Sequence, residues 1–317
     1  MNYNKIVILH LLVFSALFAL QFFASGYAVL SLTRIMVLAI YAVGYNLLFG
    51  YAGLLSLGHA MFFATGLYVA AIGTTRAGIP VPAAFGLAIV IGAIVSAAMG
   101  AITLRVKGVA FMIVTLMFSQ AAFLAVLYFG EYTRGDEGII IPDTIRSFEF
   151  LGIPVDLTDA KLRYNLTLAL LSIAVFLCLL IVSSKLGRVL VAIRENEDRT
   201  SMLGYDVARY KLVAFIISGT ISAAAGATYA LMFAYAGSTL ASIQYSIHPL
   251  LWTLLGGAST VLGPILGTAL MFVLVDVASS FTNANLLMVG VVLILLVLFF
   301  PKGILGTLRQ RYLPWLP

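Results

Sequence analysis

Charge is what this sequence has least of: among 317 residues, 18 are Lys or Arg and 12 are Asp or Glu, 9% in all. Soluble globular chains carry about 25%, so this composition excludes a water-facing enzyme and an unstructured chain. A single cysteine excludes a disulfide framework and a thiolate metal centre. That residue, Cys178, lies inside an apolar run and reads as a packing residue. The three histidines, His10, His59 and His248, lack metal-ligand spacing. No G-x-x-x-x-G-K-S/T phosphate loop occurs and the dipeptide Gly-Lys is absent, so any ATP and its Mg are expected on another chain and no cofactor on this one. The net charge of +6 hints at nucleic acid, but membrane proteins gather basic residues in cytoplasmic loops, and no nucleic-acid partner is expected.

What is present is apolar: 62% of the chain, with a mean hydropathy of +1.11. At about 20 residues per crossing this suffices for roughly nine or ten crossings. The runs are continuous rather than alternating, which excludes a transmembrane barrel. Ten segments stand out, at 6–24, 28–49, 54–74, 80–104, 108–129, 164–184, 211–235, 247–257, 260–281 and 285–300. The run at 6–24 exceeds the core of a secretory leader, about 7–15 residues, and reads as a first crossing. The run at 247–257 is too short to span alone and 285–300 is marginal, so either is expected as a half-helix covered by protein or lining a water-filled cavity. The expected fold is an all-α polytopic membrane protein of about eight to ten transmembrane helices.

Placing the segment 185–211 in the cytoplasm and alternating outward puts 12 of the 18 basic residues inside: the six of that segment with Lys5, Arg105, Lys107, Lys302, Arg309 and Arg311. Both termini then lie inside, as the positive-inside rule requires. The loop 130–163 falls outside with seven acids against four bases, as a solvated connector or as a docking surface for an external partner. One domain, 1–317, is expected, with a first repeat at 1–129 and a second at 164–317. Five crossings on either side of that division make the two repeats inverted, a layout common among transporters.

The cytoplasmic segment alternates apolar Val189, Ala192, Ile193 and Leu203 at roughly helical spacing with Arg188, Glu195, Asp198 and Arg199. Gly204 is a plausible helix stop and Asp206 the N-cap of the next membrane helix. Many such connectors are merely solvated helices. Dense charge of mixed sign beside exposed apolar residues suits docking to a soluble protein.

This segment resembles the coupling loop of the branched-chain amino acid permeases, the membrane subunits of an ATP-binding-cassette uptake system. The family motif, approximately G-R-x-x-x-A-I-R-E-N-E-x-x-A-x-x-x-G, stands here as Gly187-Arg188, Ala192-Ile193-Arg194-Glu195-Asn196-Glu197 and Gly204, with Tyr210-Lys211 and Ala214-Phe215 following. Thr200 replaces a frequent Ala. The Gly-rich run Gly53 to Ala60 with Gly66 and Tyr68, the pair Gly256-Gly257, the stretch Val261 to Gly267 and the closing Pro301-Lys302-Gly303-Ile304 agree with it. The likeness is closest to the M-type subunit. It implies a homologous H-type partner, two ATP-binding subunits, an external substrate-binding protein and a bacterial cytoplasmic membrane. It also implies ATPase coupling through Gly187, Arg188, Arg194, Glu195, Asn196, Glu197, Leu203 and Gly204, with Arg194 and Glu195 as docking charges. Related permeases for urea, other neutral amino acids and aromatic carboxylates share the scaffold, and Gly66-Leu67-Tyr68 and Thr133 to Gly138 depart from the family pattern.

For a substrate path, Asn46, Gly53, Ser56 and His59 flank a Gly-rich interruption, and Thr115 and Ser119 share a helix face beside Gln120. Broken helices present backbone groups to a charged solute, whereas small and hydroxyl residues also serve helix packing. Arg34 and Asp276 sit within apolar runs at similar depth and are expected to pair, as a structural or gating contact. A self-sufficient ion-coupled transporter is the rival class; it needs intramembrane relays, for which only Asp276, Arg34 and scattered histidines are available.

Overall fold

A computed structural model describes residues 3–150, 152–281, 287, 290, 291, 294, 298–300 and 302–311. At its centre is α11 (Val207–Phe233), a 27-residue helix that packs along α3 (His59–Thr75) and α4 (Val81–Thr103) and crosses α2 (Gly26–Asn46). The sequence allows this because small residues mark the contact faces. Along α4, Ala84, Ala88, Gly92, Ser96 and Gly100 recur every fourth position and are the buried face, while Val90, Ile94 and Ile102 point outward. Helices in lipid associate by close backbone approach rather than by burying oil in oil. Glycine makes the α3–α11 contact possible: a Cβ on Gly66 would collide with the Ala223 carbonyl, and one on Gly226 with that of Phe63.

Among the described residues, six helices are long and apolar enough to cross a membrane: Gly26–Tyr51, Val81–Thr103, Val109–Tyr128, Ala160–Ser183, Val207–Phe233 and Gly263–Ser280. The all-α polytopic class expected from composition is the class observed. A shorter apolar helix, α1 (Tyr3–Leu20), packs on α8 (Ala160–Ser183). The segment expected at 54–74 is helical only from His59, because Gly53 sits at φ 72° and the chain runs without helix to Gly58. The short run at 247–257 lies in α12 (Ile243–Gly256), whose 14 residues rise about 21 Å against roughly 30 Å of hydrocarbon. Gly256 closes it, and after a non-helical turn α13 (Gly263–Phe281) follows. Most of 285–300 lies outside the described residues, and the expected repeat symmetry rests on it in part.

The stretch 130–163 is folded rather than a bare connector. Strand β1 (Ile139–Ile140) pairs antiparallel with β4 (Tyr235–Ala236) beyond α11, and β2 (Ser147–Phe150) pairs with β3 (Ile153–Asp156) as a hairpin. Arg146, 5% exposed, holds this cap on the bundle: its guanidinium donates to the carbonyls of Leu231, Met232 and Leu157 and to Asp143. Helix α8 starts at Ala160, four residues before the apolar run, because the Asp159 carboxylate caps the Lys161 and Leu162 amides.

Candidate functional site

At the opposite end of the bundle from that cap, α8 runs through Ser184 into α9 (Lys185–Glu195), which Asn196 separates from α10 (Glu197–Met202). One amphipathic helix is expected from the sequence; there are two. Asn196 breaks them by taking extended geometry, φ −160°, and its side chain accepts from the Arg199 amide as the N-cap of α10. Helix α9 buries Val189, Leu190 and Ile193. Gly187 is required where α9 turns off α8, since a Cβ there would meet the Val182 backbone. Gly204 ends α10 at φ 87° and Asp206 caps α11, as expected.

The eight expected coupling residues do not share one face. Arg188, Glu195, Leu203 and Gly204 are exposed, whereas Glu197 is 30% exposed and turned inward between two ammonium groups, Lys107 of the loop after α4 at 2.9 Å and Lys211 of α11 at 2.5 Å. Burial alone would raise the Glu197 carboxyl, but its hydrogen bonds to Lys211 and Lys107 and their charges hold it below its ordinary value of 4.5. The same contact raises the exposed Lys107 above its ordinary 10.5. Arg194 is engaged on two sides. Its guanidinium reaches back into the bundle, donating to the Gly50 carbonyl at 2.5 Å and to the Ser259 hydroxyl, with only Nη2 left to pair with Glu195 at 2.7 Å. It latches the coupling segment to the bundle. The projecting surface is instead apolar: Met202 and Leu203 are 86% and 72% exposed, beside Tyr205 and the exposed Asp198 and Arg199.

The latch meets a polar hub. After α2 the backbone widens into a π-helical turn, Leu47–Tyr51, the kind of local bulge that recurs at functional sites. The loop after α12 carries Ser259 in the left-handed region at φ 64°. Asn46 joins the two, donating to the Thr260 carbonyl at 3.0 Å and accepting from the Ser259 amide at 3.2 Å. The Ser259 hydroxyl donates to the Gly50 carbonyl at 2.7 Å, and Arg309 of α14 (Ile304–Arg311) donates to the Ser259 carbonyl at 2.8 Å. Gly53, an expected path residue, serves this hub: its open α-carbon faces the Arg194 side chain.

The other expected path residues are buried and mutually satisfied. The Ser218 hydroxyl donates to the Gly44 carbonyl at 2.6 Å, so it must accept from His59 Nε2 at 2.8 Å. His59 Nδ1 is then left to accept from Ser56 Oγ at 3.1 Å. Both ring nitrogens are thus engaged within the protein, leaving no free valence for a solute. Thr115 Oγ1 accepts from the Leu57 amide at 3.1 Å, Ser119 Oγ lies 3.2 Å from Ser246 Oγ, and Ser246 accepts from the Ala60 amide at 2.9 Å. These contacts fasten the non-helical approach to α3 onto α5 (Val109–Tyr128) and α12. Gln120 is half-buried beside them. None of these residues walls the cleft between α3 and α5. That cleft, of about 240 Å³, is walled by Met61, Ala64, Ala122, Ala125, Val126 and Phe129 with Thr65, Tyr68 and Thr133 as its polar residues. The Tyr68 hydroxyl is buried without a partner among the described residues.

Arg34 and Asp276 form no ion pair. Asp276 accepts from the Tyr27 hydroxyl at 2.8 Å, and the Arg34 guanidinium lies over the Phe233 ring at 5.2 Å. Both are exposed on the isolated chain, where an aromatic face and a phenol meet part of each charge's cost without bringing the two together.

A multi-pass helical bundle with a buried polar hub, a tethered helix pair at one end and a folded cap at the other defines the class: a membrane permease. A sequence profile described as "Branched-chain amino acid transport system / permease component" matches residues 27–300, and the chain belongs to that family. It is 28% identical to the high-affinity branched-chain amino acid transport system permease protein LivM of Salmonella typhimurium, over 97% of this chain and 76% of that protein. Identity to the Escherichia coli LivM is also 28%, over 88% of this chain and 70% of the relative. The LivH permease of Salmonella typhimurium matches at 22% identity, over 84% and 91%. No solved structure matches.

Proposed function

We propose that the chain is the M-type membrane subunit of an ATP-driven importer for branched-chain or other aliphatic amino acids in a bacterial cytoplasmic membrane, with its termini inside. The observation that carries this reading is the α9–α10 pair: exposed Met202 and Leu203 on helices whose other side is fixed by Ile193, Glu197 and Arg194. A soluble ATPase seated there has an apolar knob to grip and a rigid lever to push. The lever ends at Arg194, which ties it to the π-turn of α2 and to the loop after α12, so displacement of α9 reaches both helix discontinuities at once. Two ATP-binding subunits holding ATP and Mg, an H-type permease and an external binding protein complete the assembly. The α3–α5 cleft, apolar with few polar groups, suits an aliphatic side chain.

The test is affinity isolation of the tagged chain from its native membranes. The expected result is recovery of a P-loop ATPase and a second permease, with the ATPase lost at least tenfold in the Met202→Asp/Leu203→Asp variant while the second permease is retained. Undiminished ATPase recovery with that variant contradicts the docking surface.

A further inference from the structure

Beside the latch, at the same end of the bundle, is a cavity of about 530 Å³ to which the transport reading assigns no ligand. Its size is that of a small-ligand site, roughly 300–1,000 Å³. Three cations line it, Arg194, Lys302 and Arg309, against one acid, Glu195. Glu195 is already engaged by Arg194. All 12 acidic side chains of the protein lie among the described residues, and none comes within ion-pair distance of Lys302 or Arg309. Arg309 spends Nη1 on the Ser259 carbonyl, a neutral acceptor that leaves its charge uncompensated. Two positive charges therefore face one concave space. Its wall also includes Leu254, and in the sequence Lys302 comes two residues after the apolar run 285–300 ends, the place where juxtamembrane cations stand.

We propose that this cavity binds the phosphodiester headgroup of an anionic phospholipid, with Lys302 and Arg309 on the phosphate and Gln310 placed for headgroup hydroxyls. Basic pockets at membrane interfaces hold such headgroups, and juxtamembrane cations contribute to that attraction individually. An anion here shares Arg309 with the hub, since Arg309 donates to Ser259 and Ser259 to Gly50. A bound headgroup thereby stiffens the loop after α12 and the seat of the coupling helices. The inference does not depend on which solute the chain carries.

The experiment uses the full chain, extracted and delipidated in detergent, with its thermal unfolding midpoint followed during titration with phosphatidylglycerol, phosphatidylcholine or inorganic phosphate. Phosphatidylglycerol raises the midpoint saturably and phosphatidylcholine does not. Lys302→Gln weakens half-saturation about fivefold, the effect of one interfacial cation; Lys302→Arg restores it, Glu195→Gln tightens binding, and Arg311→Gln, outside the cavity, leaves it unchanged. Lys302 carries the test because Arg309 variants also disturb Ser259. Equal response to both lipids, or an unchanged Lys302→Gln, overturns the proposal. Full protection by inorganic phosphate alone reassigns the site to a free anion and overturns the lipid as its source. Displacement of bound phosphatidylglycerol by added ATPase subunits assigns the cavity to an acidic protein surface instead and overturns it likewise.

Discussion

At the scale of single residues, geometry separates positions that the sequence motif runs together. Arg194 and Glu195 are neighbours in the chain, yet one guanidinium grips Gly50 and Ser259 inside the bundle while the adjacent carboxylate is 68% exposed. Reversing both charges therefore mixes a folding defect with a docking defect. Arg194→Ala is expected to lower stability by about 2 kcal/mol, because it removes charge-assisted hydrogen bonds to the Gly50 carbonyl and the Ser259 hydroxyl; a detergent-unfolding titration measures it. Glu195→Ala should leave that stability within about 0.5 kcal/mol, as an exposed pair contributes little. Glu197 adds a pH dependence. Its folded-state carboxyl is held below its ordinary 4.5, so its contribution is present above that value and is lost as pH falls through the depressed one. Glu197→Gln is expected to cost about 1 kcal/mol near neutral pH, and the gap to the wild type should close on acidification below the ordinary carboxyl value of 4.5. His59 and Ser56 were legible as polar residues on an apolar helix. That the Ser218 hydroxyl, itself bonded to the Gly44 carbonyl, engages the His59 ring was not, since Ser218 lies far away in the chain.

At the scale of elements, the sequence patterns located the helices and missed how they break. The spans of α4, α5 and α8 follow from apolar runs alone, and Asp159, Asn196 and Asp206 cap helices as small polar residues do. Hydropathy could not show that 54–58 is non-helical, because Leu54, Leu55 and Leu57 are as apolar as a helix core and only Gly53 and Gly58 signal the departure. Nor does it show Ser259, a non-glycine residue in the left-handed region that becomes the centre of the hub. The Gly256-Gly257 pair marked the break, and nothing in a one-dimensional pattern joins it to Asn46. The small-residue stripes allow a sharper test. Gly66→Val forces a side chain onto the Ala223 carbonyl, an overpacking that costs about 3 kcal/mol or more where backbone must move. It should prevent recovery of monodisperse protein, while Gly86→Val, with open space around its α-carbon, should be tolerated.

At the scale of the whole molecule, the bundle has two chemically distinct ends joined by one buried hub. One end carries Lys107, Glu197, Lys211, Arg194 and Arg309 around the tethered α9–α10 pair; the other carries the folded cap held by Arg146. The charge count already separated these groups in the sequence, because crossings and loops sort charge by necessity. Which charges point inward and which outward required the fold. The account's central claim is that this chain moves an aliphatic amino acid only when a separate ATPase acts through α9 and α10. Uptake of radiolabelled leucine and isoleucine into proteoliposomes measures this most directly, with the chain alone and with its co-isolated permease and ATPase subunits, wild type or Met202→Asp/Leu203→Asp. The account predicts ATP-dependent accumulation by the wild-type assembly, reduced at least tenfold in the variant, and none by the chain alone. Accumulation by the chain alone under an ion gradient would contradict it.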